Sequence, residues 1–339
     1  MYKVAQVSSP GSPFEIVERS IPEPGNGEVL IKVEACGLCH SDQVAVMGFM
    51  PVQYPIVPGH EVVGRIHKLG PGVNGKFWEV GERIGVGWHA GHCFNCKRCR
   101  RGDFNTCHNE KICGVSIDGG YGEYMIAPWE ALAKVPNGLT SEEAAPLMCA
   151  GVTVYNGMRN TDTRPGDVCA VIGIGGLGHL AVQYAVKMGF KVIAVSGGAE
   201  KKDLSLNKLG AHYYIDYKTQ DVVKEINQLG GAKLIVSTAP GGEDTISKLT
   251  QALAVNGRLL LLGVSGDLKL NPMELIVKRA SVSGFPAGNA MDSEETMEFT
   301  DLVKVNTIVE TFRLEQVAEA YEKMMANKVR FRAVLVFDK

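Results

Sequence analysis

The sequence has little net charge and lacks long hydrophobic runs. Its 35 basic and 37 acidic residues leave a formal charge of −2 at pH 7, so its charge favours neither nucleic acid nor anionic lipid as a partner. No stretch is long enough to span a bilayer, and residues 1–7 alternate like a strand and do not resemble a signal peptide. We therefore expect a cytoplasmic protein that acts on a small molecule, without a nucleic acid or membrane partner.

Length and cysteine content add two further constraints. A chain of 339 residues exceeds what one ordinary hydrophobic core covers, which favours two domains. Nine cysteines without a secretion signal favour reduced thiols, and short Cys-x-x-Cys spacings then indicate metal binding more than disulfides.

The first third of the chain predicts a β-rich region. It is rich in Gly, Pro, Val and Ile, with strand-like runs at 28–33 and 61–66 between turn signals. Thr140 and Glu143 then form a predicted capping box, so a helix should begin directly after Thr140.

The pattern changes between residue 168 and about residue 285. Apolar runs alternate there with helical stretches such as 180–188, which predicts a parallel sheet wrapped by helices. The runs are 168–172, 191–195, 233–237 and 258–262. The C-terminal part predicts a helix near 315–326 and a final strand at 333–337.

A glycine-rich turn follows the strand predicted at 168–172. Residues 173–178 match the dinucleotide-binding motif G-x-G-x-x-G and precede a helical pattern. Glycine permits close backbone approach to a pyrophosphate, and a helix N-terminus presents free N–H groups to it. A turn with a purely structural role is the alternative. The predicted cofactor-binding residues of this motif are Gly173, Gly175, Gly176, Leu177 and Gly178.

The tip of the second predicted strand bears on the choice between NAD and NADP. An NAD site usually carries an acidic residue there, about 20 residues after the motif, which binds the ribose 2′-hydroxyl. Here Ser196 occupies the position, and Lys201 and Lys202 follow. The missing carboxylate and the nearby cations favour NADP(H) over NAD(H). Alternatively, the two lysines are only the solvated start of a helix.

Four cysteines lie close together among polar and basic residues. Four thiolates so close in sequence can surround one Zn²⁺ and leave no open position, which is typical of a structural site. An iron–sulfur cluster is a competing interpretation. A nucleic-acid-binding zinc module would require a basic domain, which the chain does not have. The four residues, with C-x2-C-x2-C-x7-C spacing, are Cys93, Cys96, Cys99 and Cys107.

Three further candidate ligands, Cys39, His60 and Cys149, are scattered, and each alone says little. A lone cysteine is more often an inert buried residue, and a lone histidine a hydrogen-bonded one. They belong, however, to an ordered series of motifs: G-L-C-H-S-D (37–42), P-G-H-E (58–61), the four cysteines, D-G-G-Y-G-E-Y (118–124), C-A-G-V-T (149–153) and G-I-G-G-L-G (173–178). With these motifs the chain resembles, nearly end to end, the zinc-containing medium-chain alcohol dehydrogenases, which include the yeast and bacterial ethanol dehydrogenases and the cinnamyl alcohol dehydrogenases.

The resemblance implies a catalytic zinc held by Cys39, His60 and Cys149, with Glu61 as an alternating ligand. Two cysteines and one histidine leave a fourth tetrahedral position open, which suits Lewis-acid catalysis. Together with the four-cysteine site, this implies two Zn²⁺ per chain.

The resemblance also gives roles to residues around these ligands. Asp42 would accept the other ring N–H of His60 and fix its tautomer. Ser41 would hydrogen-bond the substrate oxygen and start the proton relay. His40 and Arg332 would contact the cofactor pyrophosphate.

Two positions depart from the family pattern. Relatives often carry a histidine where this chain has Val44, so the proton must reach water directly or through another group. Gln43 is a weak substitute, and an alkaline shift of the oxidation optimum would follow. Met50 lies where ethanol-specific relatives carry tryptophan, while Trp88 matches an aromatic pocket wall. The flexible thioether leaves room for longer or aromatic aldehydes.

The implied fold is α/β, with a β-rich GroES-like catalytic domain at 1–152 and 290–339 and a Rossmann domain with a doubly wound parallel sheet at 153–289. The implied function is that of an NAD(P)-dependent alcohol dehydrogenase or aldehyde reductase acting on a primary alcohol or aldehyde. We also expect a homodimer or a homotetramer.

Two other functions are weaker candidates. A zinc-free quinone-reductase-like relative would have no use for Cys39, His60 and Cys149 together. A non-catalytic sensor or structural protein that binds zinc and a nucleotide would have no use for an open zinc site beside a dinucleotide motif.

Overall fold

The computed structural model describes residues 1–238, 243–263 and 266–338. Its internal contacts form two compact units, Met1–Val152 with Ala287–Lys339, and Thr153–Pro286. We call them the discontinuous unit and the central unit. The domain bounds predicted from the sequence, 152/153 and 289/290, stay a prediction about independently folding domains. Within the described residues, none of the helices has both the length and the apolar character needed to cross a bilayer.

Most of the strands are short, and most of the regular helices span ten residues or fewer. The strands are β1 Tyr2–Gln6, β2 Glu15–Arg19, β3 Glu28–Gly37, β4 Glu61–Leu69, β5 Arg83–Val86, β6 Tyr124–Pro128, β7 Ala133–Lys134, β8 Val168–Ile172, β9 Lys191–Ser196, β10 Tyr213–Asp216, β11 Ala232–Ser237, β12 Leu253–Leu261, β13 Ser281–Gly284, β14 Val309–Phe312 and β15 Arg332–Val336. The helices are α1 Gln43–Val46, α2 Ser141–Ala144, α3 Ala150–Arg159, α4 Gly178–Lys187, α5 Glu200–Asp203, α6 Val222–Gln228, α7 Glu243–Lys248, α8 Pro272–Lys278, α9 Ala290–Val303 and α10 Val317–Met325.

The discontinuous unit is built around one sheet in the order β14-β15-β3-β4-β5-β7, and β6 also pairs with β3. The central strand β3 is buried along most of its length, because it has partners on both sides in the middle of the sheet. Strand β15 runs antiparallel to β3, with Leu335 opposite Cys36. Residues from both ends of the chain therefore share one sheet and one hydrophobic core, which includes Ile31, Val62 and Leu335.

The central unit contains a six-stranded sheet in the order β10-β9-β8-β11-β12-β13. Every pairing in it is parallel. Because the first strand, β8, lies in the middle, the order is that of the dinucleotide-binding doubly wound fold. Together the two sheets confirm the predicted α/β fold class.

Several predicted elements differ in extent from those observed. Strands β3 and β4 continue to Gly37 and Leu69, past the predicted ends at residues 33 and 66. Strand β12 begins at Leu253, before the predicted start at residue 258, because Asn256 with φ of 56° interrupts the apolar run that marks the strand. The helix predicted at 315–326 begins with a 3-10 turn at Leu314–Gln316 before α10.

The predicted capping box is present at the start of α2. The Glu143 N–H donates to Thr140 Oγ1 at 3.2 Å, and the Thr140 N–H donates to Glu143 Oε2 at 2.9 Å. The regular helix is short because the next turn contains Pro146, which has no N–H to donate.

In the glycine-rich turn between β8 and α4, the close approach of the helix start to the end of the strand can be tested by substitution. A Cβ on Gly178 would lie 1.8 Å from the Gly173 carbonyl oxygen, so Gly178→Ala must push the helix from the strand. We expect it to lower the free energy of unfolding by about 1–3 kcal/mol. A Cβ on Gly175 would meet nothing within 4 Å, so Gly175→Ala should change that energy by less than about 0.5 kcal/mol. Chemical denaturation measures both, and equal stability of the two variants would contradict the close approach.

Candidate functional site

Cys39, His60, Glu61 and Cys149 meet in the discontinuous unit, although the two cysteines are 110 positions apart in the sequence. Cys39 follows the end of β3, His60 and Glu61 lie at the start of β4, and Cys149 precedes α3. One ligand atom from each residue lies within 4.8 Å of the others. The fold thus brings together all four residues that were predicted for the catalytic metal.

The spacing of the donor atoms suits a zinc ion. The Sγ atoms of Cys39 and Cys149 are 3.9 Å apart, and His60 Nε2 lies 3.3 Å from Cys149 Sγ. A tetrahedral zinc, with bonds of about 2.3 Å to sulfur and about 2.0 Å to nitrogen, needs donors roughly 3.5–3.8 Å apart. These three donors fit the ion and leave one coordination position for another ligand.

Asp42 holds His60 from the side away from the thiols. Its Oδ1 lies 2.7 Å from His60 Nδ1, which leaves His60 Nε2 facing Cys149. Its Oδ2 accepts the Cys39 backbone N–H at 2.8 Å and the Tyr121 hydroxyl at 2.6 Å. The predicted contact between carboxylate and histidine is therefore present. Tyr121 belongs to the motif at 118–124, but nothing in that motif indicates this contact, because the partner is 79 positions away.

The groups in this cluster shift one another's pKa values. The hydrogen bond with Cys149 lowers the pKa of the Cys39 thiol, and the same contact raises the pKa of Cys149. Burial lowers the pKa of His60, but Asp42 and Cys39 outweigh burial and bring it well above its ordinary value. A bound metal would have to displace protons from these groups, so the affinity for metal should decrease as the pH is lowered.

Glu61 and Arg332 form a buried ion pair beside the cysteines. Arg332 contacts one Glu61 oxygen and also donates to the Leu38 carbonyl oxygen at 3.1 Å. Glu61 Oε2 has no hydrogen-bond partner among the described residues, and burial raises the pKa of Glu61 despite Arg332. This oxygen is available to a metal. The Arg332 guanidinium is ion-paired with the Glu61 carboxylate. Its contact with the cofactor pyrophosphate stays a prediction.

The four cysteines of the second cluster form a closed set. Their Sγ–Sγ distances are those of the edges of a small tetrahedron: 3.9 Å for Cys93–Cys99, 3.5 Å for Cys96–Cys99, 3.9 Å for Cys96–Cys107 and 3.5 Å for Cys93–Cys107. The backbone N–H groups of Cys99 and His108 lower the pKa of Cys96 to about 6, which favours the thiolate that a metal needs. This geometry fits a structural zinc.

The predicted dinucleotide motif forms the turn between β8 and α4 in the central unit. Gly173 has a φ of 93°, where glycine is favoured, and its N–H donates to the Val195 carbonyl oxygen at 2.8 Å. Gly175, Gly176 and Leu177 continue the turn, and Gly178 begins α4. The first backbone N–H groups of a helix are thus presented beside a turn of small residues, as pyrophosphate binding requires.

Ser196 and Lys201 lie near this turn. Ser196 ends β9 and is buried, and Lys201 Nζ donates to the Ile174 carbonyl oxygen at 3.1 Å, while Lys202 is exposed. Asp216 ends the neighbouring strand opposite Ser196, and its carboxylate accepts the Gly198 N–H at 3.2 Å. Sequence reasoning missed this acid because it belongs to the third strand of the sheet. Only the strand register places it beside Ser196.

Four residues predicted to contact substrate or cofactor lie in the discontinuous unit: His40, Ser41, Met50 and Trp88. His40 and Ser41 are exposed, and Met50 is 41% exposed. The Trp88 ring meets the His60 ring edge-on, with centroids 4.9 Å apart. The Trp88 indole therefore packs against the candidate metal ligand His60.

Val44, which stands where relatives often carry the relay histidine, and its neighbour Gln43 contact apolar side chains or a thioether. Val44 packs against a small hydrophobic cluster, and Gln43 Nε2 lies 3.2 Å from the Met325 sulfur. Neither side chain supplies a titrating group that could replace a histidine.

Two family models match the chain. One is described as "Alcohol dehydrogenase GroES-like domain" and covers residues 25–137. The other is described as "Zinc-binding dehydrogenase" and covers residues 176–304.

Relatives match over nearly the whole chain. The alcohol dehydrogenase patD of Penicillium expansum is 43% identical, with 98% of this chain and 97% of the relative covered. An alcohol dehydrogenase of Geobacillus stearothermophilus is 38% identical, with 98% of each chain covered.

Solved structures agree with the fold. The acetophenone reductase of Geotrichum candidum in complex with NAD aligns with a TM-score of 0.86 and 28% identity over 99% of this chain and 97% of the other. The protein CAD of Helicobacter pylori, complexed with NADP(H), aligns with a TM-score of 0.85 and 26% identity over 99% of this chain and 97% of the other.

Metal content tests the two clusters separately. If each binds one zinc, Cys39→Ser and Cys99→Ser should each remove one of two ions per chain, because each substitution weakens one ligand set. Cys169→Ser is the matched control, since Cys169 is equally buried in β8 but belongs to neither cluster. Elemental analysis of the purified proteins gives the result. Full metal content in Cys39→Ser would contradict the first site.

Proposed function

Since this chain belongs to the zinc-type medium-chain alcohol dehydrogenases, we propose that it interconverts primary alcohols and aldehydes in a zinc-dependent reaction with NADP(H). The observation that carries the proposal is the convergence of Cys39, His60 and Cys149 with Glu61, which supplies three zinc donors and leaves the fourth tetrahedral position to either the alternating ligand Glu61 or the substrate oxygen.

In this proposal the chain binds two zinc ions. Cys39, His60 and Cys149 hold the catalytic ion, with Glu61 as the alternating ligand, and the four-cysteine cluster holds the structural ion. Zinc supplies Lewis-acid polarisation of the substrate oxygen. Support comes from the matched zinc-binding family and from the donor spacing of both clusters.

The side chains around the catalytic cluster orient the substrate and move its proton. Ser41 is the donor and acceptor for the substrate oxygen, and its exposure suits proton exchange with water. With valine at position 44, the proton leaves Ser41 to solvent and not along a histidine relay. Trp88 and Met50 provide an apolar, adaptable wall that favours longer or aromatic aldehydes.

The central unit binds the cofactor, whose nicotinamide accepts or donates the hydride. Residues 173–178 hold the pyrophosphate, and His40 and Arg332 are proposed as further contacts to it. NADP(H) is favoured because Ser196 replaces the usual acid and Lys201 is held close to the motif by its bond to Ile174. The Asp216 carboxylate is engaged by backbone N–H groups of Gly198 and Lys218 and so repels a 2′-phosphate less.

Turnover with the two cofactors tests activity and cofactor preference together. Reduction of aliphatic and aromatic aldehydes should be faster with NADPH than with NADH, as measured by the loss of reduced-nicotinamide absorbance. Lys201→Ala should lower kcat/KM for NADPH by about 10–100-fold, since a charge-assisted hydrogen bond contributes about 1.5–3 kcal/mol, and should leave kcat/KM for NADH unchanged. Lys202→Ala, the exposed neighbour, should change neither value.

Each outcome separates one part of the proposal. Faster turnover with NADH would keep the enzyme and contradict the cofactor preference. Bound zinc without turnover of any alcohol or aldehyde would favour the alternative, a zinc- and nucleotide-binding sensor or structural protein.

We also propose that two copies of the chain associate through the edge of the central sheet. Strand β13 lies at that edge, and an edge strand presents unpaired backbone groups to a partner. On the adjacent helix α8, Met273, Ile276 and Val277 are 63%, 69% and 72% exposed. Such an exposed apolar cluster beside a strand edge is typical of a self-association surface. A tetramer would require a second contact surface on each copy.

The cytoplasm stays the predicted location of the protein.

Light scattering on a sizing column tests this surface. Ile276→Glu should halve the molecular mass, from dimer to monomer or from tetramer to dimer, because it places a charge in the apolar contact. Leu302→Glu is the control, since Leu302 is 79% exposed on α9 of the other unit. An unchanged mass for Ile276→Glu would contradict the assignment of this face.

A further inference from the structure

Asp42 is a buried carboxylate with three hydrogen-bond donors around it. His60 Nδ1 lies 2.7 Å from Oδ1, and the Cys39 N–H and the Tyr121 hydroxyl lie 2.8 and 2.6 Å from Oδ2. Asp42 is only 2% exposed, so water cannot replace a missing donor at low cost. The position of this carboxylate therefore depends on these three contacts.

Tyr121 is held rigidly enough to act as a fixed donor. Its side chain is fully buried. Its backbone N–H donates to the Pro58 carbonyl oxygen at 3.0 Å, and its own carbonyl oxygen accepts the Ala5 N–H at 2.7 Å. A Cβ on Gly59 would lie 2.4 Å from the ring, so the ring fills the space beside the residue that precedes His60.

The hydroxyl is what distinguishes Tyr121 from an ordinary core residue. Phenylalanine would fill the same space, but it would leave Asp42 Oδ2 with the Cys39 N–H alone. Burial and the Asp42 charge raise the pKa of Tyr121 well above its ordinary value, so the phenol keeps its proton and donates.

We propose that Tyr121 is a positioning residue for the catalytic zinc, acting through Asp42 on the ligand His60. The hydroxyl fixes Asp42 Oδ2, so that Oδ1 stays on His60 Nδ1 and His60 Nε2 stays aimed at the metal. Because the same oxygen also accepts the Cys39 N–H, one carboxylate aligns two of the three ligands. This inference rests on the proposed catalytic zinc site.

The test compares zinc release from four forms of the holoenzyme into excess chelator: the parent, Tyr121→Phe, Asp42→Asn and the double variant. Residues next to a metal ligand typically change metal affinity by about 10–100-fold. We expect Tyr121→Phe to speed release from the Cys39 site by about tenfold and to leave release from the four-cysteine site unchanged. The second site thus serves as an internal control for general loss of stability.

Tyr124→Phe is the matched control. It removes a tyrosine hydroxyl in the same segment, where the ring packs edge-on against Tyr2. Its release rate should match that of the parent. In addition, the visible absorption bands of the cobalt(II)-substituted protein should shift in Tyr121→Phe and stay unchanged in Tyr124→Phe, because only the former alters the ligand geometry.

The double variant tests the route through Asp42. If Tyr121 acts through this carboxylate, then Tyr121→Phe should add less than about twofold to the release rate of Asp42→Asn. An equal effect in both backgrounds, or no effect in the parent, would overturn the proposal. If instead no zinc is bound at the Cys39 site even in the parent, the proposed zinc site itself fails.

Discussion

The hydrogen bond between Asp42 and His60, 2.7 Å long and almost fully buried, sets the arrangement of the donor atoms around it. It selects which ring nitrogen faces the thiols, and its second oxygen anchors the Cys39 backbone. Hydrogen bonds in a water-free interior are electrostatically stronger than in water. For the same reason, a buried polar group left without a partner lowers stability more than an exposed one. The cluster is therefore sensitive to any change at this carboxylate.

Charge balance explains why a cation fits this cluster. Asp42, Glu61 and two cysteines can all carry negative charge, whereas Arg332 and His60 are the basic groups in contact with them. Burial raises the pKa of Glu61, although the nearby Arg332 guanidinium acts to lower it. A divalent ion held by the thiolates would lower the electrostatic cost for the whole cluster.

Sequence patterns predict what is local and miss what depends on long-range contacts. The turn at 173–178 and the four-cysteine cluster are each contained in a short segment, so their spacing alone indicates their chemistry. Cys39, His60 and Cys149 could be grouped only through the family resemblance, since β3, β4 and the start of α3 come together only in the folded chain. Two contacts were not predictable by either route. Tyr121 reaches Asp42 across 79 positions, and Asp216 reaches Ser196 only through the register of β9 and β10.

The pairing of β15 with β3 has a consequence for biosynthesis. A ribosome makes residues 153–286, a compact unit with its own core, before it makes residues 332–336. Until β15 is added, residues 35–37 of β3 lack their partners in β15, and Glu61 lacks the guanidinium of Arg332, which makes burial of that carboxylate unfavourable. The order of translation therefore delays completion of this sheet, which borders the candidate metal ligands, until after the central unit can form.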